Sequence, residues 1–303
     1  MNDTAAPGGD PRICGIIVTY NPDLVTLERL LNSVKPQVSN LIIVDNGSRV
    51  DLGGVADLHE IALLPLGENF GIARAQNIGF EFARECQAKY ILLLDQDSIP
   101  APNMVSRLVS AAQHLEHIGQ PYAAVGPTYF DHRQGETAPF VYLKGLSLQR
   151  RSRPTSGDLV EADFLIASGS LIPLHSLDVA GDMVEELFID YVDIEWGLRA
   201  RQEGLKSYGV YDALMEHELG DCWIPYKGRQ IPLHSPLRHY YHVRNAIWLA
   251  RRPWISTAWV VVLLWRVVRQ VAFFSIFAPQ GREHAKLMSL GIWHGIRGRM
   301  GRK

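Results

Sequence analysis

The feature that most constrains this chain is a pattern repeated through its first hundred residues, where short apolar runs alternate with segments of helical period. Each run stops at a polar cluster. Ile13 to Thr19 ends at Tyr20-Asn21-Pro22, Asn40 to Val44 at Asp45-Asn46-Gly47-Ser48, and Tyr90 to Leu94 at Asp95-Gln96-Asp97-Ser98. Between them Leu24, Leu27, Leu30, Leu31 and Val34 mark one face of a helix that must stop before Pro36, and Ile72 to Ala88 reads as a second helix. Ile61 to Leu66 is a weaker strand. Runs that are apolar at every position belong to strands covered by helices on both faces, so the pattern predicts βαβ units and a Rossmann-like, mostly parallel α/β sheet. Ligands of such sheets bind beyond the carboxyl ends of the strands, where all three polar clusters fall.

Beyond residue 100 the pattern is less regular. Asp131 to Gly157 is polar and rich in Gly and Pro, which suggests a mobile or β-hairpin insertion, and Glu161 to Pro173 reads as a strand turning through Ser168-Gly169-Ser170. Leu187 to Glu203 reads as a helix with acids at its start and Arg199 and Arg201 near its end, the arrangement a helix dipole prefers. Gly220 to Pro236, with three prolines, reads as a second loop. The expected organisation is a frayed tail over 1–12, an α/β domain over 13–245 divided at 98, and a helical appendage over 246–303.

Composition narrows the class. With 47% hydrophobic and 20% charged residues the chain is neither disordered nor collagen-like. Cys14, Cys86 and Cys222 are far apart and form no C-x-x-C pair, so neither a disulfide framework nor a zinc site is expected, and a reducing cytosol fits. The N-terminus lacks the basic-then-apolar order of a secretory signal. The net charge of −2 hides an asymmetry: residues 238–303 hold twelve Arg and Lys against the single acid Glu283, a net +11, which leaves −13 on the rest. Within that basic tail, Trp254 to Trp265 is an apolar run of twelve residues before Arg266 and Arg269, short of the ~20 needed to cross a bilayer. It is expected either to lie in the interface of an anionic membrane or to pack on the body. Nucleic acid is the poorer partner, because a long apolar run suits lipid better than phosphate tracking.

Several residues carry chemistry. Asp95 and Asp97, two apart at a strand end, point to one face if the backbone stays extended, a hard-oxygen pair suited to Mg²⁺ or Mn²⁺; the bland alternative is a pair of turn caps. Asp45 sits where an acid can accept from a ribose or a base N–H, or simply close an Asx turn. Asn69-Phe70-Gly71 opens the second helix, where backbone N–H groups can meet an anion or be capped. Asp190, Asp193 and Glu195 precede Arg199. The bland reading makes Asp193 a helix cap and Glu195–Arg199 a surface i, i+4 pair, while the sharper one makes Asp193 a general base. His217 is a metal or phosphate contact, or a structural histidine.

In order, Val18 to Pro22, Val44 to Ser48, Asn69 to Gly79, Leu92 to Ser98 and Phe188 to Arg199 resemble the inverting family 2 glycosyltransferases over nearly the whole chain. Within it, Asp95-Gln-Asp-Ser98, Glu185 to Trp196, Glu216-His-Glu-Leu-Gly220, Arg238 to Asn245 and His294 to Arg299 are similar to the rhamnosyltransferase branch. The resemblance implies a GT-A fold, a dTDP-L-rhamnose donor, a divalent metal, and an acceptor hydroxyl on a lipid-linked glycan or glycolipid, such as a rhamnolipid or an O-antigen or capsule intermediate. It implies donor contacts at Thr19, Tyr20, Asn21, Asp45, Asn69, Gly71, Arg74, Asp95 and Gln96, a metal held by Asp97 and His217, and Asp193 as catalytic base. Many members carry Arg where this chain has Gln76. The implied location is the cytoplasmic face of the inner membrane.

A processive polysaccharide synthase would carry a Gln-x-x-Arg-Trp motif and several spans, and a nucleotidylyltransferase a basic Gly-rich loop in place of Tyr20-Asn21-Pro22. A catalytically silent nucleotide-sugar or lipid-binding subunit is disfavoured by the presence of both Asp97 and Asp193.

Overall fold

The computed structural model describes residues 12–131, 136–137, 140–155, 157–216, 222–226 and 228–303; the expected tail over 1–11 and His217 lie outside them. The chain begins with β1 (Ile13–Thr19), α1 (Leu24–Val34), β2 (Asn40–Asp45), α2 (Gly53–His59), β3 (Ala62–Pro65), α3 (Ile72–Glu85) and β4 (Tyr90–Asp95). These strands form a parallel block in the order β3-β2-β1-β4. The chain moves from β1 outward to β3 and then returns to the other side of β1, which opens a crevice at the strand ends where that reversal occurs.

After β5 (Ile99–Pro100) and α4 (Met104–His117) come β6 (Tyr122–Asp131), the two-residue β7 (Glu136–Thr137), the hairpin β8 (Val141–Lys144) and β9 (Ser147–Arg150), β10 (Leu159–Ala162), β11 (Leu171–Pro173) and α5 (Leu174–Ala180). Then follow α6 (Val192–Gln202), β12 (Lys206–Glu216), a hairpin of β13 (Cys222–Tyr226) and β14 (Arg229–Leu233), α7 (Pro236–Ala250), α8 (Thr257–Phe277) and α9 (Gly281–Arg297). The sheet continues from β4 through β11, β6 and β12 to β10. In this half β11 is antiparallel to β4 and β6, while β12 is parallel to β6.

Alternation along each strand explains the layers. Ile17 on β1, Ile43 on β2 and Leu92 and Leu94 on β4 pack with Leu27, Leu30 and Leu31 of α1 and Leu108 of α4. Ile16, Ile42, Val44 and Leu93 face the opposite side and meet Phe80 of α3, Leu177 of α5 and Trp196 of α6. A further cluster joins Tyr191, Ile194 and Leu198 to the C-terminal helices through Val243, Leu263, Val267 and Met288. The close packing of α9 on α7 depends on Gly291 and Gly295, where an added Cβ would stand 2.6 Å from the Tyr240 carbonyl oxygen and 2.7 Å from that of Arg244.

Several expectations change. The first helix and first two strands sit where the periodicity put them, but 220–236 is not simply a loop: its described part pairs as the β13–β14 hairpin, with Pro225 and Pro232 inside the strands of this two-stranded ribbon. The insertion after residue 131 contains the β8–β9 hairpin. Glu161–Pro173 is two short strands on different parts of the sheet. The apolar run does not end at Trp265, because α8 continues unbroken through Arg266 and Arg269 for 21 residues. Among the described residues α8 alone is long and apolar enough to cross a membrane by length and composition, with a mean hydropathy of 1.8. Helix α7 runs without a break across residues 245 and 246.

Candidate functional site

Register brings the three polar clusters together. Thr19 pairs with Asp45 across β1 and β2, and Val18 with Asp95 across β1 and β4. Buried Thr19 donates from Oγ1 to Asp45 Oδ1 at 2.9 Å, and Asp45 also accepts from the Ser48 hydroxyl and, through Oδ2, from the Ser48 backbone N–H at 3.0 Å. Asp45 therefore closes the Asx turn and lines the strand ends at once. Tyr20 and Asn21 stitch the rim: the Tyr20 N–H donates to Gln96 Oε1 at 2.8 Å, the Asn21 N–H to Ser48 Oγ at 2.8 Å, and the Arg49 N–H to Asn21 Oδ1 at 2.9 Å. The Tyr20 ring is half-exposed above this rim.

The backbone after β4 differs from the extended geometry assumed for Asp95 and Asp97. Gln96 and Asp97 form a turn closed by the Ser98 N–H on the Asp95 carbonyl at 3.2 Å, so the strand alternation assumed for the two carboxylates ends at Asp95. The Asp95 N–H is held by Ser168 Oγ at 3.0 Å, and Ser168 Oγ lies 2.6 Å from Ser98 Oγ, tying the turn to the segment before β11.

The start of α3 also differs from an open anion cradle. Asn69 Oδ1 accepts from the Gly71 N–H at 2.9 Å and the Ile72 N–H donates to the Phe188 carbonyl at 2.7 Å, so these amides are occupied from within the chain. Gly71 has φ +91°, and a Cβ there would lie 2.5 Å from the Phe188 oxygen. Gly71 and Ile72 thus hold the start of α3 against Phe188, and Asn69 fixes the turn before it. Arg74 is exposed, with its guanidinium 4.4 Å from the Phe70 ring centroid. Gln76 is buried and its Oε1 has no hydrogen-bond partner among the described residues, while Asn77 clips Met183 through its N–H and its carbonyl at 2.9 and 3.0 Å.

The segment read as one helix from Leu187 is broken. A 3-10 turn over Glu185–Leu187 leads into Phe188, Asp190 and Tyr191, all with positive φ (67°, 64° and 68°), before α6 starts at Val192. Such backbone is costly for residues with a Cβ and persists only where its surroundings fix it. Here α7 does so: Asn245 Nδ2 donates to the carbonyls of Leu187, Ile189 and Asp190 at 2.9, 2.8 and 2.8 Å, and Arg244 Nη2 reaches Glu186 and Leu187 carbonyls at 3.2 and 2.9 Å. Arg244 and Asn245 lie in a motif that the sequence singled out without a role.

Asp193 is not the cap of α6, since Tyr191 holds that position; it stands in the first turn, its Oδ1 accepting from the Ile194 N–H at 2.8 Å. It borders a small cavity walled by Leu93, Ile172, Met183 and Trp196. Burial pushes its carboxyl up to about 6, with the negative charges of Asp95 and Asp190 adding to the effect. Asp190 is raised by burial, opposed by Arg238, whose Nε lies 3.3 Å from Oδ1. Asp190 Oδ2, the Tyr191 hydroxyl and His242 Nδ1 find no hydrogen-bond partner among the described residues. Glu195–Arg199 is not a surface pair: Glu195 is buried, the contact is bidentate at 2.7 and 3.0 Å, and Arg199 also donates to the carbonyls of Ala180 and Asp182, fixing α6 to α5.

Asp95 and Asp97, at the end of β4 and in the turn that follows, are the hard-oxygen side chains at these strand ends. No group of three or more metal-ligating side chains closes into a cage among the described residues. That composition fits Mg²⁺ or Mn²⁺ bound by one or two carboxylates and completed by substrate phosphates.

The comparisons agree with this geometry. Residues 14–168 match the family model described as glycosyl transferase family 2. The chain is 34% identical over 295 residues to the dTDP-rhamnosyl transferase RfbF of Shigella flexneri, covering 94% of this chain and 96% of that protein. Among solved structures it is similar to GalNAc-T7 with UDP, GalNAc and Mn²⁺ (TM-score 0.58, 13% identity, 95% of this chain but 58% of that one). It is also similar to S. aureus TarS 1-349 in complex with UDP-GlcNAc (TM-score 0.57, 14% identity, 94% and 81%). These likenesses show the GT-A fold.

Proposed function

The chain belongs to glycosyl transferase family 2, and from that premise we propose that it moves L-rhamnose from dTDP-L-rhamnose to a hydroxyl of a lipid-linked glycan or glycolipid, with inversion at the sugar. The observation that carries the chemistry is Asp193: a carboxylate at the start of α6 that borders a small cavity and is raised to about 6 by burial, with the charges of Asp95 and Asp190 adding to it. The donor sugar is supported by the relative's name and its near-complete coverage. The acceptor class rests on the basic, apolar C-terminal region.

Asp193 accepts the acceptor's hydroxyl proton on Oδ2, since Oδ1 is engaged by Ile194. The acceptor oxygen then bonds to the anomeric carbon as the bond from that carbon to the diphosphate oxygen breaks on the opposite face. A base with a pKa near 6 is ionised at neutral pH yet basic enough to share the proton as the new bond forms. No covalent sugar–enzyme intermediate is needed, and none of the chain's own side chains is required as a nucleophile. Asp97 and His217, with Asp95 nearby, would hold the divalent metal, which offsets charge on the departing diphosphate. Thr19, Tyr20, Asn21, Asp45 and Gln96 shape the nucleotide side, and exposed Arg74, stacked on Phe70, is assigned to the donor phosphates. Asn69 and Gly71 serve the donor by fixing the start of α3, which rests against Phe188.

The test is donor discrimination. With Mg²⁺ or Mn²⁺ and a panel of mono-rhamnolipid and polyprenyl-linked glycan acceptors, nucleotide release is expected from dTDP-L-rhamnose and only with acceptor present. Release from another sugar nucleotide in preference to dTDP-L-rhamnose would overturn the rhamnose assignment and leave the family standing.

A further inference from the structure

We propose that the outer face of α8 seats the protein on an anionic membrane, with the helix axis lying in the membrane plane. Val261, Leu264, Trp265, Val268 and Ile276 form one exposed stripe, Trp265 at 59% and Ile276 at 71% relative exposure. The opposite stripe, Trp259, Val262, Leu263, Val267 and Phe274, is buried against the neighbouring helices. Because the buried stripe spans about 22 Å of helix, α8 cannot leave the body to cross a bilayer without exposing it. An apolar stripe of this length on a surface helix marks an interaction face.

Charge selects the occupant. Residues 238–303 carry a net +11, and exposed Arg269 sits beside the stripe, with exposed Arg282 and Lys286 on α9. Apolar side chains flanked by arginine and lysine suit acyl chains beneath anionic headgroups. A second copy on the same face would bring two strongly positive regions together.

The inner face gives the docking a consequence. The Arg266 guanidinium lies 5.5 Å from the Tyr191 ring centroid, and Tyr191 precedes Asp193 by two positions at the start of α6. One helix, about 10 Å across, therefore separates lipid from the start of α6, which carries the proposed base. For an acceptor anchored in lipid this sets how far its hydroxyl must reach, a consequence that rests on the transferase reading above, whereas the docking does not.

The experiment is flotation of the full-length protein with vesicles of phosphatidylglycerol and phosphatidylcholine, against phosphatidylcholine alone, at low salt. Wild type is expected to float with the anionic vesicles only, and a Trp265→Ser, Val268→Ser double variant to stay at the bottom with unchanged circular dichroism and unchanged dTDP binding. Wild type remaining at the bottom, or the double variant floating like wild type, would overturn the proposal. So would light scattering that finds a wild-type dimer dissociated by the double substitution, since a second copy would then cover the face. Flotation without transfer to any acceptor would keep the docking and remove the transferase reading.

Discussion

At the scale of single residues, Asp193 makes opposed demands on stability and on chemistry. Its folded carboxyl, near 6, keeps a proton that the unfolded chain releases at its ordinary value of 3.8. Stability contributed by this group therefore falls as pH rises from about 4 to 6, and the cost persists above. Asp193→Asn keeps the acceptor for the Ile194 N–H and removes the buried charge. It is predicted to raise unfolding stability by about 1–2 kcal/mol near neutral pH, the gain vanishing below about pH 4. Urea titrations at both pH values check this, and an Asn variant no more stable than wild type at neutral pH would contradict it. In wild type the base must be ionised, so kcat/KM is predicted to rise through about pH 6 and level off above, falling about tenfold per unit below. A profile flat between about pH 5 and 8 would remove Asp193 as the base. Gly71→Ala should cost about 2 kcal/mol or more, because its φ of +91° and the Phe188 oxygen leave no room for a Cβ.

At the scale of elements, α7 braces the loop that leads into α6, where the proposed base stands. Asn245→Ala leaves the Ile189 and Asp190 carbonyls without that donor, leaves Leu187 to Arg244, and loosens a loop in left-handed backbone. The expected result is a loss of about 2–3 kcal/mol in stability together with a fall in kcat larger than any change in donor KM. His239 on α7 and His284 on α9 are both buried with their Nδ1 atoms 2.9 Å apart, and burial holds His239 down to about 3. Such a pair favours the neutral form, so the junction is fully stable above the ordinary histidine value of 6.5 and weakens as pH falls toward 3. Hydrogen exchange should show α9 losing protection near pH 5 while β1 and β4 keep theirs. Much of the N-terminal half was legible because fully apolar runs leave few options other than buried strands. Helix α4 has no counterpart in the sequence reading, although its Met104, Val105, Leu108, Ala112 and Leu115 fall on one face. The positive φ of Phe188, Asp190 and Tyr191 was not legible, since no glycine marks them and the groups that hold this loop, Asn245 and Arg244 on α7 and the Ile72 N–H on α3, lie far away in sequence. Arg266 and Arg269 were read as breaks in an apolar run; on a half-exposed helix they are simply side chains, one of them seated over Tyr191.

At the scale of the whole molecule, the site exists because three parts of the chain meet. The parallel block supplies Thr19, Asp45 and the Asp95–Asp97 turn, the inserted β11 and α6 bring Asp193 across from it, and α7 to α9 brace the loop between them. The Asp95–Asp97 pair was visible from sequence as the end of a strand, whereas its reverse turn and its tie to Ser168 depend on contacts more than seventy residues apart. Chelation should abolish transfer, with Mg²⁺ or Mn²⁺ restoring it and calcium-sized ions doing so poorly, because the cation is asked to fit a small carboxylate pair and a diphosphate. The most direct test measures rhamnosyl transfer from dTDP-L-rhamnose and dTDP binding side by side in wild type and Asp193→Asn. The account predicts dTDP affinity within about twofold and transfer reduced by about a thousandfold. Transfer retained within about tenfold of wild type, with binding intact, would contradict it.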